Sequence, residues 1–157
     1  MDIMTTKVQW TWHDFDHLTG SEMHEILRVR QQVFIVEQNC VYVDADDLDR
    51  SSLHLIGRDS SGEIAAYARL ALPGTRYAEP SIGRVLTAKK YRNQGLARRA
   101  VELCLDKIRI AWGIQSIRVA AQFYLKDFYR GFGFFEIGEK YEEDGIEHID
   151  MMLDSAK

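Results

Sequence analysis

Apolar residues along this chain change their spacing several times, and each change marks an element. Residues 8–12 alternate as a half-buried edge strand does. Leu18-Thr19-Gly20-Ser21-Glu22-Met23 then opens a helix, with Thr19 as N-cap, Glu22 completing a capping box and Leu18 stapling onto Met23. Met23, Ile26, Leu27, Val33 and Phe34 follow at helical spacing, so this helix is expected to end or kink near Glu37. Residues 41–50 break the pattern with Asp44, Asp46, Asp47 and Asp49, and read as an acidic, irregular loop. Residues 53–58 and 64–72 read as strands joined by the turn Asp59-Ser60-Ser61-Gly62. A loop holding Pro73, Gly74 and Pro80 precedes a strand over 81–87.

The second half repeats the alternation of strand and helix. Residues 97–112 form an amphipathic helix with Ala97, Val101, Leu105 and Ile108 on one face, and Gly113 supplies its C-cap. A strand over 117–121 and a short helix over 124–132, stopped by Gly133, follow. Residues 134–141 and 148–153 form a final hairpin around Asp144-Gly145, with a loop longer than two residues. These patterns imply an α/β or α+β domain. At 157 residues, without repeats or a linker-like stretch, the chain reads as one domain over 1–157 with a substantial core.

Composition narrows the setting. No apolar run approaches the roughly 20 residues of a membrane span, and Met1-Asp2-Ile3-Met4-Thr5-Thr6-Lys7 lacks a basic start and an apolar h-region. Two cysteines, Cys40 and Cys104, give no disulfide framework, so a cytoplasmic setting is expected. A formal net charge of −4 argues against a nucleic-acid partner. The acidic loop does not match a calcium loop, because Leu48 and Asp49 stand where an oxygen ligand and a glycine belong; no metal is expected.

Chemistry concentrates after the strand over 81–87. There Arg92-Asn93-Gln94-Gly95-Leu96-Ala97 turns from strand to helix. Backbone N–H groups of such a turn and the positive end of the helix dipole converge into an anion site. Gly95 lets the backbone approach a bulky phosphate, and Lys89, Lys90, Arg92, Arg98 and Arg99 crowd a helix start where positive charge is unfavourable without an anion.

This loop resembles the acetyl-CoA pyrophosphate loop of the GNAT N-acyltransferases, with Ala97 in place of the usual second glycine. Phe128-Tyr129-Arg130-Gly131-Phe132-Gly133-Phe134 resembles a second motif of that family, in the family's order and spacing. Several further stretches look like the ElaA-like subgroup: Arg30-Gln31-Gln32-Val33-Phe34 through Cys40, His54-Leu55-Ile56-Gly57, Ala66-Tyr67-Ala68-Arg69, Ile82-Gly83-Arg84-Val85 and Tyr141 through Ile149. The resemblance spans nearly the whole chain. It implies a mixed, largely antiparallel central sheet flanked by helices, with strands 81–87 and 117–121 parallel and splayed at the CoA site. It also implies an acetyl-CoA-dependent N-acetyltransferase acting on a primary amine of a small molecule or protein, in a family where homodimers are common.

Carried onto this chain, the resemblance assigns backbone groups of Val85, Leu86 and Thr87 to the pantetheine arm and thioester. It assigns the loop Arg92, Asn93, Gln94, Gly95, Leu96, Ala97 and Arg98 to the pyrophosphate. Tyr129 aligns with the general acid. Glu37 follows the apolar run Val33-Phe34-Ile35-Val36, where burial would raise its pKa, and is the preferred base; a water chain is the alternative. Gln38, His54, Arg69, Arg84, Gln122 and His148 are acceptor-side candidates. Arg69 and Arg84 would either bind a substrate carboxylate or pair internally with Asp46, Asp47 or Glu37. Gln122 stands where many members carry asparagine, and Tyr124 where some ElaA-like sequences carry histidine, which leaves the acceptor side open. The same fold also serves acyl-homoserine-lactone synthases, and a non-catalytic CoA-binding regulator would keep the loop while losing turnover.

Overall fold

The computed structural model describes residues 5–113 and 115–154, so the first four residues of the N-terminal stretch lie outside it. Its centre is a seven-stranded sheet in the order β1-β2-β3-β4-β5-β7-β6. The strands are β1 (Gln9–Asp14), β2 (Leu53–Arg58), β3 (Ile64–Ala71), β4 (Ser81–Thr87), β5 (Ile117–Gln122), β6 (Phe135–Glu143) and β7 (Ile146–Leu153). Every neighbouring pair is antiparallel except β4 and β5. The mixed sheet with one parallel pair is the fold that the motifs imply.

Helices cover both faces of the central strands. α3 (Leu96–Trp112) buries Leu96, Ala100, Val101, Cys104, Leu105 and Ile108, and Leu55, Ala68 and Leu70 belong to the same core. α1 (Gly20–Arg30) brings Ile26 and Val29 to the opposite cluster, with Ile56, Tyr67 and Leu86. β3 is therefore buried at every position, as a strand covered on both faces must be. The capping box forms as expected: Glu22 N donates to Thr19 Oγ1 at 3.0 Å, and Thr19 N to Glu22 Oε1 at 3.1 Å.

Three details depart from the sequence expectation. First, the helix ends at Glu37 as expected, but its last stretch, Gln31–Glu37, is π-helical, with Cys40 N bonded to Ile35 O. Such wide turns occur disproportionately at functional sites. Second, the β6–β7 connection is a two-residue turn rather than a longer loop. Asp144 (φ 52°) and Gly145 (φ 80°) both take the left-handed conformation that a type I′ hairpin turn demands. Third, residues 48–51 of the acidic loop form a short helical turn, α2 (Leu48–Ser51).

β4 carries the deformation that matters most. Across from β3, Tyr67 pairs with Leu86 and Arg69 with Gly83, so Arg84 and Val85 together oppose Ala68. This bulge puts Arg84 at φ 51°, which costs a branched or long side chain about 1–2 kcal/mol. On its other side β4 meets β5 at Ser81 and Arg118, with Arg118 N donating to Pro80 O at 3.1 Å. Among the described residues no further ladder pair joins them, so the two strands part after Ser81.

Buried ion pairs hold the loop that faces this gap. Arg30, at the end of α1 and fully buried, donates to Asp44 Oδ2 at 2.7 Å and Asp49 Oδ1 at 2.6 Å. Arg69 reaches Asp46 at 2.6 Å and Asp49 at 2.9 Å. His54 lies in the same interior. Its Nε2 meets the Asp49 carbonyl at 2.9 Å, which only accepts, so Nε2 carries the proton and Nδ1 accepts from Tyr67 Oη at 2.7 Å.

Burial pushes the His54 imidazole below its usual value of 6.5. Burial alone would raise the Asp49 carboxyl, but the hydrogen bonds and charges of Arg30 and Arg69 outweigh it and hold it below the usual range. Both shifts have one sign for stability: the unfolded chain binds protons that the folded chain refuses. His54 therefore removes stability as pH falls below about 6.5, and Asp49 adds to the loss below about 4. One unit of depression is worth about 1.4 kcal/mol, or about 3–6 °C in a chain of this size. Melting curves from pH 7 to 5 should show a falling midpoint that flattens in His54→Gln. Identical pH slopes in the two proteins would remove His54 from the effect.

Candidate functional site

The gap between β4 and β5 opens into a cavity of about 880 Å³, within the upper range of small-molecule sites. One end is formed by the turn into α3. Asn93 (φ 65°) and Gly95 (φ 76°) are both left-handed, and Gly95 is the N-cap residue with no side chain bonding into the first turn. The leading N–H groups of α3 thus lack a side-chain cap. Asn93, Gly95, Leu96, Ala97 and Arg98 all line the cavity at this end. A Cβ built on Gly95 meets nothing within 4 Å, so the constraint there is backbone hand and clear space, not protein packing.

The basic crowd is largely neutralised by neighbours. Lys90 pairs with Glu63, Arg99 with Glu102, and Arg92 with Glu37. Arg98 lies over the Phe132 ring at 5.2 Å and, among the described residues, has no carboxylate partner. Of the two cations that line the cavity at the helix start, Arg92 is paired with Glu37 and Arg98 is left for an anion.

The middle of the cavity is lined by Val85 and Thr87 of β4, Ala120 and Ala121 of β5, and Phe128 and Tyr129 of α4 (Lys126–Arg130). Tyr129 is 7% exposed, with Phe128 and Phe134 edge-on against its ring. Burial pushes its phenol well above the usual range, so it carries its proton at neutral pH. Among the described residues Tyr129 Oη makes no hydrogen bond, although its ring is packed on several sides.

The far end is polar and mixed in charge. Glu37, Gln38, Arg84, Gln122 and His148 reach it, joined by Tyr42, Asp46, Arg76, Glu143 and Asp144. Gln38 and Gln122 exchange side-chain bonds at 3.2 and 3.5 Å. Arg84 Nε donates to Asp44 Oδ1 at 2.8 Å, and its Nη2 to the Asp44 carbonyl at 3.1 Å.

This geometry corrects several sequence expectations. His54 and Arg69 do not line the cavity; they are buried in the interior network, because β3 is covered on both faces and an arginine there needs internal carboxylates. The Leu86 side chain packs in the core beside Ile26 and Tyr67, which bears on its side chain and not on the backbone role expected of it. Gln94 turns away, its Oε1 accepting from Thr6 N at 2.7 Å. Glu37 lines the cavity but is not shielded: its side chain is 31% exposed and accepts from Arg92 Nη2 at 2.7 Å. A proton acceptor there would first have to leave that ion pair. Arg76, Tyr42, Glu143 and Asp144 went unassigned in the sequence, since only the loop conformations bring them to the cavity.

The span that holds this cavity matches known proteins. A family model described as an acetyltransferase (GNAT) domain matches residues 28–155. This chain belongs to the GNAT acetyltransferase family. Within it the chain is ElaA-like: Escherichia coli ElaA is 35% identical over 144 residues, covering 89% of this chain and 94% of ElaA. The crystal structure of that ElaA superposes with a TM-score of 0.86 over 94% of this chain. A Synechocystis relative, the UPF0039 protein sll0451, is 46% identical over 94% of this chain and 96% of its own length. The crystal structure of an acyl-CoA N-acyltransferase from Pseudomonas aeruginosa, 34% identical, superposes with a TM-score of 0.89 over 94% of this chain and 99% of that one. This GNAT chain thus spans nearly the full length of its relatives.

The bulge of the GNAT sheet stands on Asp44, which binds both Arg30 and Arg84. Asp44→Asn leaves buried guanidinium charge uncompensated, which typically costs about 3–5 kcal/mol. Urea unfolding should report a loss of that order, and a loss below about 1 kcal/mol, the level of exposed pairs, would demote the network to a surface feature.

Proposed function

We propose that this protein transfers an acetyl group from acetyl-CoA to a primary amine by direct attack within a ternary complex. The observation that carries this reading is the meeting, on one cavity, of an uncapped helix start and a proton-holding buried phenol where two parallel strands part. An uncapped start of a 17-residue helix favours phosphate oxygens. The parting strands leave backbone groups of Val85 and Thr87 without a partner on β5, which suits an extended pantetheine arm.

The chain's own groups then divide the chemistry. The loop from Asn93 to Arg98 holds the pyrophosphate, and a backbone N–H of the Val85–Thr87 segment stabilises the developing oxyanion. As the amine attacks the thioester carbonyl, the C–N bond forms and the C–S pair collapses onto sulfur. Tyr129 gives its proton to the leaving thiolate. The acceptor is a small molecule or an exposed protein amine, and no metal takes part.

Thiol release from acetyl-CoA and longer acyl-CoAs, measured against a panel of amines and peptides, tests the reading directly. Absence of release with every amine, while CoA still binds, would favour a non-catalytic binder. Acetyl-CoA should raise the melting temperature by mass action, by about 2.7 kcal/mol of stabilisation at a hundredfold excess over Kd. Gly95→Val should abolish that shift, because a β-branched residue resists φ 76° and projects into the cavity. Normal binding by a folded Gly95→Val protein would show that the loop is misassigned.

Tyr129→Phe removes no hydrogen bond among the described residues, so it is a clean probe. It should keep acetyl-CoA binding and lower kcat by about 10²-fold or more, the usual weight of a general acid. Unchanged kcat under conditions where chemistry limits the rate would remove Tyr129 from the mechanism.

A further inference from the structure

His148 sits on β7 with its side chain at the acceptor end of the cavity, 13% exposed. Its Nδ1 lies 2.8 Å from the Ile146 carbonyl. A carbonyl oxygen only accepts, so Nδ1 carries the hydrogen and the neutral ring keeps its lone pair on Nε2. Among the described residues Nε2 has no hydrogen-bond partner. Glu143 Oε2 stands 3.9 Å from it, beyond hydrogen-bond reach.

The surroundings hold the ring in that orientation. On β6, Tyr141 is paired with His148 and stacks on it at 5.8 Å and 22°, and is itself tied to Asp150 Oδ1 at 2.6 Å. On β5, Gln122 is its register partner and is occupied by Gln38. Charged or titratable groups elsewhere on the cavity wall are Asp144 at the hairpin tip, Cys40 bonded to the Asp144 carbonyl, Tyr42, Asp46, Arg76, Arg84, Arg98, Tyr124, Tyr129 and the Glu37–Arg92 pair. A backbone-fixed Nδ1–H, an open Nε2 and a nearby carboxylate are the parts of an oriented general base.

We propose that His148 is the proton acceptor for the amine, with Glu143 beside it as the carboxylate that attracts a cationic acceptor. The assignment rests on the acetyl-transfer reading above. Nε2 takes one proton from the acceptor ammonium and passes it to solvent at the open side of the cavity. The neutral amine attacks the thioester carbonyl; the C–N bond forms and the C–S bond breaks. The nitrogen then sheds a second proton, which balances the one that Tyr129 gives to the thiolate. Overall, ammonium and acetyl-CoA become amide, free thiol and one released proton.

Two measurements decide the assignment. Nitrogen-15 shifts of the His148 ring, compared with His148→Gln for identification, report the tautomer without any turnover. The expected result is Nδ1–H with a lone pair on Nε2; an Nε2–H ring overturns the proposal even if no acceptor amine is found. With an active amine, His148→Gln should bind acetyl-CoA normally and lose about 10²-fold in kcat near pH 7. The deficit should shrink toward pH 10, where the amine sheds its proton unaided. Glu143→Gln should raise the KM of a cationic amine and lower kcat less than His148→Gln does. Glu37→Gln should keep the acid limb of the kcat profile. An acid limb kept in His148→Gln and lost in Glu37→Gln overturns the proposal. A wild-type protein that releases no thiol refutes the acetyl-transfer reading, whereas an active one with an unaltered His148→Gln profile refutes only the base.

Discussion

Three arginines converge on three aspartates in the interior next to the cavity, and the surrounding chain is arranged around keeping them neutral. Arg30 closes α1, Arg69 lies on β3 and Arg84 on β4; Asp44, Asp46 and Asp49 come from the one loop between the π-helical stretch and β2. A single guanidinium left unpaired there would cost several kcal/mol, so the loop has almost no freedom to leave. The same loop supplies Tyr42, Val43, Asp46 and Leu48 to the cavity wall. The ion pairs thus hold an irregular acidic segment in place as a wall, with only Cys40 and Tyr42 adding apolar packing among its described residues. They also account for the fate of Arg69: its charge serves the fold, not a substrate.

The bulge in β4 links that network to the site. A strand with an extra residue bends and twists more, and here it bends away from β5. Arg84 takes the strained conformation, and the Asp44 bonds compensate for it on the interior side. What results is a gap with unpaired backbone on β4, bounded by the uncapped start of α3. Strain, buried charge and an open helix terminus are each unfavourable alone. They are stable together because one loop of ion pairs holds all of them in register.

How much of this was legible depended on range. The Arg92–Ala97 turn and the Tyr129 motif are local: their glycines, spacing and strand-to-helix context lie within a few residues, and they landed on one cavity as read. The element order was legible because the period changes are sharp. His54 and Arg69 were misread because alternation along a strand tells one face from the other, not which face is solvent, and β3 has no solvent face. The bulge was invisible because one extra residue changes side-chain parity without changing composition. The π-helical stretch was hidden because Val33 and Phe34 fit helical spacing whether the turn holds four residues or five. Pairings such as Asp44 with Arg84 span 40 positions and follow only from the fold.

The cavity is electrically divided, and that division bears on what the protein can take as partners. At the α3 end stand the helix dipole and Arg98, both positive. At the hairpin end stand Glu143 and Asp144, with Arg84 already engaged by Asp44 and Asp46, and with Arg76 over the Tyr77 ring as the one cation there without a carboxylate among the described residues. A donor with phosphates and an acceptor with a positive amine would therefore enter from opposite ends and be repelled from each other's seats. The formal net charge of −4 does not conflict with binding a polyanion, because the field that a ligand meets is set by the nearest groups within a Debye length of about 10 Å. Between the two ends the wall is apolar or aromatic, from Val85 to Phe128. Under the proposed acetyl transfer, a thioester held there would meet an apolar wall, which favours attack by a bound amine over hydrolysis.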